Sequence, residues 1–242
     1  MFLLLDTDLL LMRSATAAET EIDWGDDIWS LFTDLKEAKQ AFQQQVYNIV
    51  ADTGVTDIIC CLTDSAGNFR RDVDPSYKSN RKKNRKPVGY KALTEWVLGE
   101  YKTVLKPMLE ADDCMGIMAT MPINKGKAII VSDDKDMRTI PGQLYLPAKK
   151  EMIDISEADA DEFFLTQALA GDPVDGVKGL PGFGPVKAKT ALGSKPHWDA
   201  VEKAYISAGY TREDALRQAR LVRILRWSDW DEKKGEPILW TP

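Results

Sequence analysis

Three short apolar runs, "FLLLD", "TDIICCLTD" and "KAIIVSDDKD", each close on an acid, and this pattern limits the fold more than any other feature. Runs this short and apolar on both faces suit central strands of a parallel sheet, where helices cover both sides. Helical spacing fills the gaps between them. "DLKEAKQAFQQQVYNIV" sets Leu35, Ala38, Phe42, Tyr47, Ile49 and Val50 near one stripe. "YKALTEWVLGEYKTVLKPM" does the same with Leu93, Trp96, Val97, Val104 and Leu105, ending before Pro107. Strands alternating with helices predict an α/β fold with a central, mostly parallel sheet flanked by helices. Beyond residue 156 the pattern turns helical, in "EADADEFFLTQALAG", "HWDAVEKAYISAG" and "REDALRQARLVRILRW". The chain therefore divides into a sheet region, 1–156, and a helical region, 157–242.

The apolar start "MFLLLDTDLLLM" is broken by Asp6 and Asp8 and has no basic lead-in. That argues against a signal peptide or a membrane span, and the expected location is cytoplasmic. Cys60, Cys61 and Cys114 are odd in number and lack metal-type spacing, which fits a reducing compartment and buried thiols. His197 is the only histidine, so His-based zinc sites are excluded and a Ser–His or Cys–His triad is disfavoured.

The acids call for an explanation. Asp6, Asp64 and the pair Asp134/Asp136 each lie just past the end of an apolar run. In open α/β sheets the ligand site lies outside the carboxyl ends of the strands, so three strands deliver acids to one rim. "LEADDC" adds Glu110, Asp112 and Asp113 at a helix start, and "AGDPVDG" adds Asp172 and Asp175, which share a face if that turn is helical. Carboxylates gathered this closely repel one another unless cations join them. Hard divalent ions with oxygen ligands answer the repulsion, and two of them can hold the attacking and leaving oxygens of a phosphodiester displacement.

A net charge of −6 argues against a polyanionic partner until its distribution is considered. Residues 70–91 hold nine Lys/Arg against two Asp, a local +7 that leaves −13 elsewhere. The tract "FRRDVDPSYKSNRKKNRKPVGYK" interleaves Phe69, Tyr77 and Tyr90 with the cations. Cations attract phosphates, and aromatics offer unpaired bases a stacking surface. Pro87 and Gly89 restrict helix there, so the tract is expected to order on binding. Downstream, "GLPGFGPVKAKTAL" places Gly179, Gly182 and Gly184 before a helix carrying Lys187 and Lys189, a backbone that can approach phosphates closely. Arg217, Arg220 and Arg223, at three-residue spacing, read as a solvated helix face.

In order along residues 1–190, "LLLDTD", "FRRDVDPSYKSNR", "EADD", "SDDKD" and "GDPVDGVKGLPGFGPVKA" resemble the flap endonuclease or 5′-nuclease family. That family includes the N-terminal nuclease domain of bacterial DNA polymerase I and the 5′→3′ exonucleases of bacteriophages. The resemblance implies a PIN-like nuclease core with a basic arch over about 70–91, and a helix–three-turn–helix motif over about 160–192. It also implies a 5′→3′ exonuclease or flap endonuclease using two Mg²⁺ or Mn²⁺ ions. Asp6, Asp64, Glu110, Asp112, Asp113, Asp134 and Asp136 would match ligands around the first metal and the family's D-x-D pair, leaving Asp133 without a role. Asp172 and Asp175 would serve the second metal. Lys78 and Arg81 would meet the scissile phosphate and its neighbour. Arg70, Tyr77, Lys82, Lys83, Arg85 and Lys86 would form the arch contacts to DNA, with Tyr77 stacking on a base and Arg70 organising the site. Gly182, Gly184, Lys187 and Lys189 would grip the duplex backbone, with a potassium ion at the glycine hairpin. The expected partner is DNA with a 5′ end, flap or nick, or an RNA/DNA hybrid, and the expected state is a stand-alone monomer. Two alternatives stay open: a non-catalytic DNA-binding module and a PIN-like ribonuclease.

Overall fold

The structure is a computed structural model that describes residues 1–83 and 85–242, with the backbone alone at Lys82 and Lys83. The chain runs β1 (Phe2–Asp6), α1 (Thr7–Ala17), β2 (Glu19–Asp23), β3 (Trp29–Thr33), α2 (Leu35–Thr53) and β4 (Ile58–Leu62). It continues through α3 (Arg70–Val73), a 3₁₀ turn at Ser79–Lys83, α4 (Tyr90–Glu100), β5 (Thr103–Leu105), α5 (Ala111–Thr120), β6 (Ala128–Val131), β7 (Gly142–Leu146) and β8 (Glu151–Ile155). The helical part comprises α6 (Glu157–Ala170), α7 (Pro185–Leu192), α8 (Trp198–Ser207) and α9 (Arg212–Val222), followed by the short pair β9 (Trp230–Asp231) and β10 (Glu236–Pro237).

The expected apolar runs become β1, β4 and β6. The sheet order is β5-β4-β1-β6-β7-β8, parallel except for the β7–β8 hairpin. Because a strand's residues alternate between faces, β1 feeds two cores at once. Leu3 and Leu5 join Phe42, Leu93 and Val97 on the side of α1, α2 and α4. Leu4 joins Met115, Ile117 and Ile130 on the side of α5. Each fully buried Leu contributes about 1.5–3 kcal/mol, which favours the uninterrupted apolar stretches Phe2–Leu5, Ile58–Leu62 and Ala128–Val131. A third core, built on Phe164, Val201 and Tyr205, holds the helical part together. The segment after α9 crosses back, and Ile224, Leu225 and Trp230 pack into the α5 side of the sheet.

The chain leaves β1 to one side for β4 and to the other for β6, which makes the gap between β1 and β6 the switch point of the sheet. Ligand sites in open α/β sheets lie beyond the strand ends at such a point. Asp6 closes β1, and Asp134 follows β6 two residues past its last residue's successor Ser132.

Some expectations change. Val104 and Leu105 belong to a strand: α4 stops at Glu100, and the β-branched pair Thr103-Val104 pairs with Cys60 and Cys61 of β4. Tyr47 is 67% exposed, off the buried stripe of Ala38, Phe42, Val46 and Ile49. Asp172 and Asp175 lie on a bridged turn in which Asp172 pairs with Val177, so no helix face holds them. Arg223 is buried against Asp229, apart from any solvated face. All three cysteines are buried and free.

Candidate active site

Local structure sets each acid in place. Asp6 caps α1 by accepting from the Leu9 amide, while its other oxygen accepts from the Ser132 hydroxyl at 2.7 Å. Ser132 in turn accepts from the Asp134 amide at 3.0 Å, so one buried serine ties the ends of β1 and β6 together. Glu110 is the N-cap of α5 and forms a reciprocal capping box with Asp113, which aims the first turn of that helix at the same rim. Asp134 starts the following 3₁₀ turn and accepts from the Asp136 amide at 2.9 Å.

Seven of the nine expected ligands line two adjoining cavities. The first, about 380 Å³, is bordered by Asp6, Glu110, Asp112 and Asp134 together with Lys78 and Arg81. The second, about 20 Å³, is bordered by Glu110, Asp112, Asp136, Asp172 and Asp175. Glu110 and Asp112 belong to both. The smaller cavity has room for about one water or ion.

Asp64 and Asp113 border neither cavity. Asp64 accepts from the amides of Ala66 and Met108, both at 2.8 Å, which pins the loop after β4 to the β5–α5 connection and lowers its pKa. Asp113 is fully buried, and both its oxygens meet the Arg70 guanidinium at 2.7 Å. In this structure Asp64 is engaged by two backbone amides and Asp113 by Arg70, and neither borders the two cavities.

Arg70 is 2% exposed and also donates to the carbonyls of Leu221 and Arg223, binding α5 to the end of α9. It ties Glu110 and Asp113 to the end of α9, and at this burial the guanidinium offers no surface for the expected contact with DNA. Tyr77 is 3% exposed, with its hydroxyl 2.9 Å from Glu110 and 3.1 Å from Asp175, so no ring face is left for a base. Phe69 and Tyr90 are buried as well, and the stacking surface expected from the three aromatics is absent. Within the tract, α3 and the 3₁₀ turn at Ser79–Lys83 are formed.

Two lysines stand among the acids. Lys78 touches Glu110 and lies 3.4 Å from Asp175. Its backbone takes the left-handed region at φ 52° and is held there by donation to the Asp175 carbonyl at 2.9 Å. Lys135, which the sequence reading did not use, lies 2.9 Å from Asp172 and 3.9 Å from Asp136. Arg81 is half-exposed and pairs with Asp175.

The electrostatics separate the acids. Burial raises Asp6 to about 6, with Asp8 and Asp134 adding to it against the Ser132 hydrogen bond. Burial, then Asp134 and Asp172, raise Asp136 to about 7. Burial, then Asp6 and Glu110, push Asp112 well up. Burial would raise Glu110 too, but Lys78 and Arg70 outweigh it and hold the group at about 2.

Do these residues fit divalent ions? Among the described residues no three acids converge closely enough, as the side chains lie, to enclose an ion. Ammonium groups hold several of the oxygens instead, as elementary electrostatics requires of crowded carboxylates. The donor set is all oxygen and strongly anionic, and three of its members are held protonated-side by burial and mutual repulsion. That chemistry suits Mg²⁺ or Mn²⁺ rather than soft metals.

The remaining expected contacts are scattered along one side. Arg85 pairs with Glu19 of the β2–β3 hairpin at 2.6 Å, and Lys86 lies over the Tyr90 ring. The side chains of Lys82 and Lys83 lie outside the described residues. Gly182 has φ 77° and Gly184 caps α7; Lys187 donates to the Gly182 carbonyl, and Lys189 pairs with Glu162. The tight closure of this connection depends on Gly179 and on Gly171, where a Cβ would fall within 2.6 Å of the other's backbone. Beyond Gly171 and Lys135, the sequence reading also missed Asp8, which borders the larger cavity and accepts from the Thr63 amide, and Gln167, which borders the smaller one. Asp8 was visible as a second acid in "DTD"; Gln167 gives no signal in sequence.

Comparison with known proteins shows the family. Residues 1–163 match the family model described as 5′-3′ exonuclease, N-terminal resolvase-like domain. The chain is 31% identical to the exodeoxyribonuclease of Enterobacteria phage T3, over 99% of its own length and 92% of the relative's. It is equally identical to the exonuclease of Escherichia phage T7, over 99% and 93%. In fold it resembles the phage T5 flap endonuclease solved with DNA and metal ions, with a TM-score of 0.67 at 16% identity over 91% of this chain and 88% of that one. The chain belongs to the 5′→3′ exonuclease family. It is accordingly a hydrolase of the phage-type 5′-nuclease class, whose general mechanism uses two metal ions. Among the described residues no helix is long and apolar enough to cross a membrane.

Proposed function

We propose that this chain cleaves DNA near 5′ ends, at flaps, nicks or free ends, using two Mg²⁺ or Mn²⁺ ions held at the β1/β6 switch point. The single observation that carries the reading is the pair of adjoining cavities, lined by nine acids, seven of them expected ligands, and sharing Glu110 and Asp112. Asp6, Asp112, Glu110 and Asp134 would hold one ion, and Asp136, Asp172 and Asp175, with the shared pair, the other. Bound there, the ions would supply a hydroxide nucleophile at neutral pH and neutralise the leaving oxygen.

The protein's own groups do the rest. Lys78 and Arg81, at the mouth of the larger cavity, place positive charge where the scissile phosphate gains negative charge. On phosphate arrival Lys78 exchanges a carboxylate partner for a phosphate oxygen, while Tyr77 keeps Glu110 and Asp175 oriented. Exposed Arg85 and Lys86 of the arch, with Lys82 and Lys83, would follow the strand electrostatically. The Gly182–Gly184 turn and Lys187 and Lys189 would meet the duplex backbone, with a potassium ion at that turn. The helical region 157–242 acts in this reading as the duplex-binding part, with α6 and α7 as the arms of a helix–three-turn–helix, and the protein works as a monomer.

The test is a 5′-labelled flap oligonucleotide run beside nicked, blunt and RNA-primed duplexes. Cleavage should require Mg²⁺ or Mn²⁺. Asp134→Ala should lower it by about 100-fold or more, the loss of several kcal/mol of charge stabilisation, with DNA binding retained. DNA binding without cleavage under any divalent ion would instead establish a non-catalytic module, and preference for single-stranded RNA a ribonuclease.

A further inference from the structure

Gln167 lies on α6 and is 7% exposed, and its side chain borders the 20 Å³ cavity beside Asp136, Asp172 and Asp175. Its amide nitrogen donates to Asp136 Oδ1 at 2.6 Å. Its carbonyl oxygen has no partner and is shut off from solvent. A buried amide that satisfies only one end is costly, since an unmade hydrogen bond forfeits the water it gave up. The amide nitrogen is the end that faces Asp136, so the carbonyl is the end left without a partner.

An isosteric leucine would fill this position without an orphaned acceptor, so packing alone does not account for glutamine. We infer that Gln167 is a positioning residue for the acids of the smaller cavity: its N–H fixes the Asp136 carboxylate in the orientation an ion bound there would need. Partners of this kind, one step removed from the ion, commonly alter metal affinity 10–100-fold. The inference rests on the proposed reading of Asp136, Asp172 and Asp175 as ion ligands.

The experiment compares Gln167→Leu, Gln167→Glu and Asp136→Asn with the unaltered protein in two readouts. The first is the melting temperature in EDTA; the second is Mn²⁺ binding by calorimetry and electron paramagnetic resonance, without DNA. For Gln167→Leu the melting temperature in EDTA should hold or rise, because the orphaned acceptor is gone. Its weaker class of Mn²⁺ site should lose about 10-fold in affinity. Gln167→Glu keeps an acceptor but opposes Asp136 with a second carboxylate, and it should lose the Asp136 orientation without restoring affinity. In cleavage, the Mn²⁺ concentration for half-maximal rate should rise about 10-fold while KM for DNA stays constant. A merely structural glutamine would do the reverse, lowering the melting temperature of Gln167→Leu and leaving Mn²⁺ affinity alone. If Asp136→Asn weakens Mn²⁺ and Gln167→Leu does not, the inference falls and the metal reading stands. If Asp136→Asn leaves Mn²⁺ binding intact, the metal reading fails, and the role of Gln167 with it.

Discussion

Glu110 and Asp113 meet fixed cations within the fold, whereas Asp6, Asp112 and Asp136, on the same rim, meet mainly burial and other acids. The first pair is met by Arg70 and Lys78 at ion-pair distance, and for Glu110 these cations outweigh burial. The second set is left short of positive charge, and its carboxyls are pushed up towards neutrality. Buried acids of the first kind stabilise a fold when their partner is present; acids of the second kind oppose it until a cation arrives from outside. The chain thus spends Arg70 on geometry and leaves the charge deficit where the chemistry is.

The contrast can be broken from either side. Removing Arg70 should do the greatest damage. Arg70→Met leaves Asp113 buried without a partner and frees two carbonyls of the α9 end, at a cost of about 3–5 kcal/mol. For a chain of this size that lowers Tm by roughly 10 °C, read by thermal or urea denaturation in EDTA. A loss under about 1 kcal/mol would mean that the Arg70–Asp113 pair does not tie α5 to α9. Asp112→Asn should act in the opposite direction and by less. It removes a carboxyl that burial and Asp6 oppose, so metal-free stability should rise by about 1–2 kcal/mol while cleavage is lost. Destabilisation of this variant in EDTA would contradict the division of the acids.

Much of this rim was legible in the sequence because its cause is local. A strand that is apolar on both faces and stops at an acid announces both its burial and its end, and β1, β4 and β6 did so. The order of acid and glycine motifs along the chain then pointed to the family. Long-range pairing was not legible. Nothing in "FRRDVDPSYK" says that Arg70 turns inward to Asp113, or that Tyr77 lies under Glu110 and Asp175 rather than facing a base. Asp64 has the same local setting as Asp6, yet two backbone amides from Ala66 and Met108 claim it. Val104 and Leu105 fit a helical stripe, and only the open edge of β4 recruits them as a strand. The β2–β3 and β7–β8 hairpins went unread, since two-residue periodicity is weak in "ETEID" and "GQLYL".

The charge deficit carries a pH dependence of definite sign. In the metal-free fold Asp6 and Asp136 hold their protons to about 6 and about 7, above the 3.8 of the unfolded chain. Their contribution is therefore fully present below pH 3.8 and is lost as pH rises through about 6 to 7. For Asp6 the change corresponds to about 3 kcal/mol. Ions that bind these carboxylates must displace the protons, which makes binding stronger as pH rises.

Titrating the unaltered protein with Mn²⁺ by calorimetry at pH 6.5, in buffers of different ionisation enthalpy, tests this most directly. The account predicts binding accompanied by net proton release, with a release that falls as pH rises from 6.5 to 8.5 and a Tm gain from Mn²⁺ that is larger at pH 8 than at pH 5. Absence of binding, or binding with no proton release at pH 6.5, would contradict it.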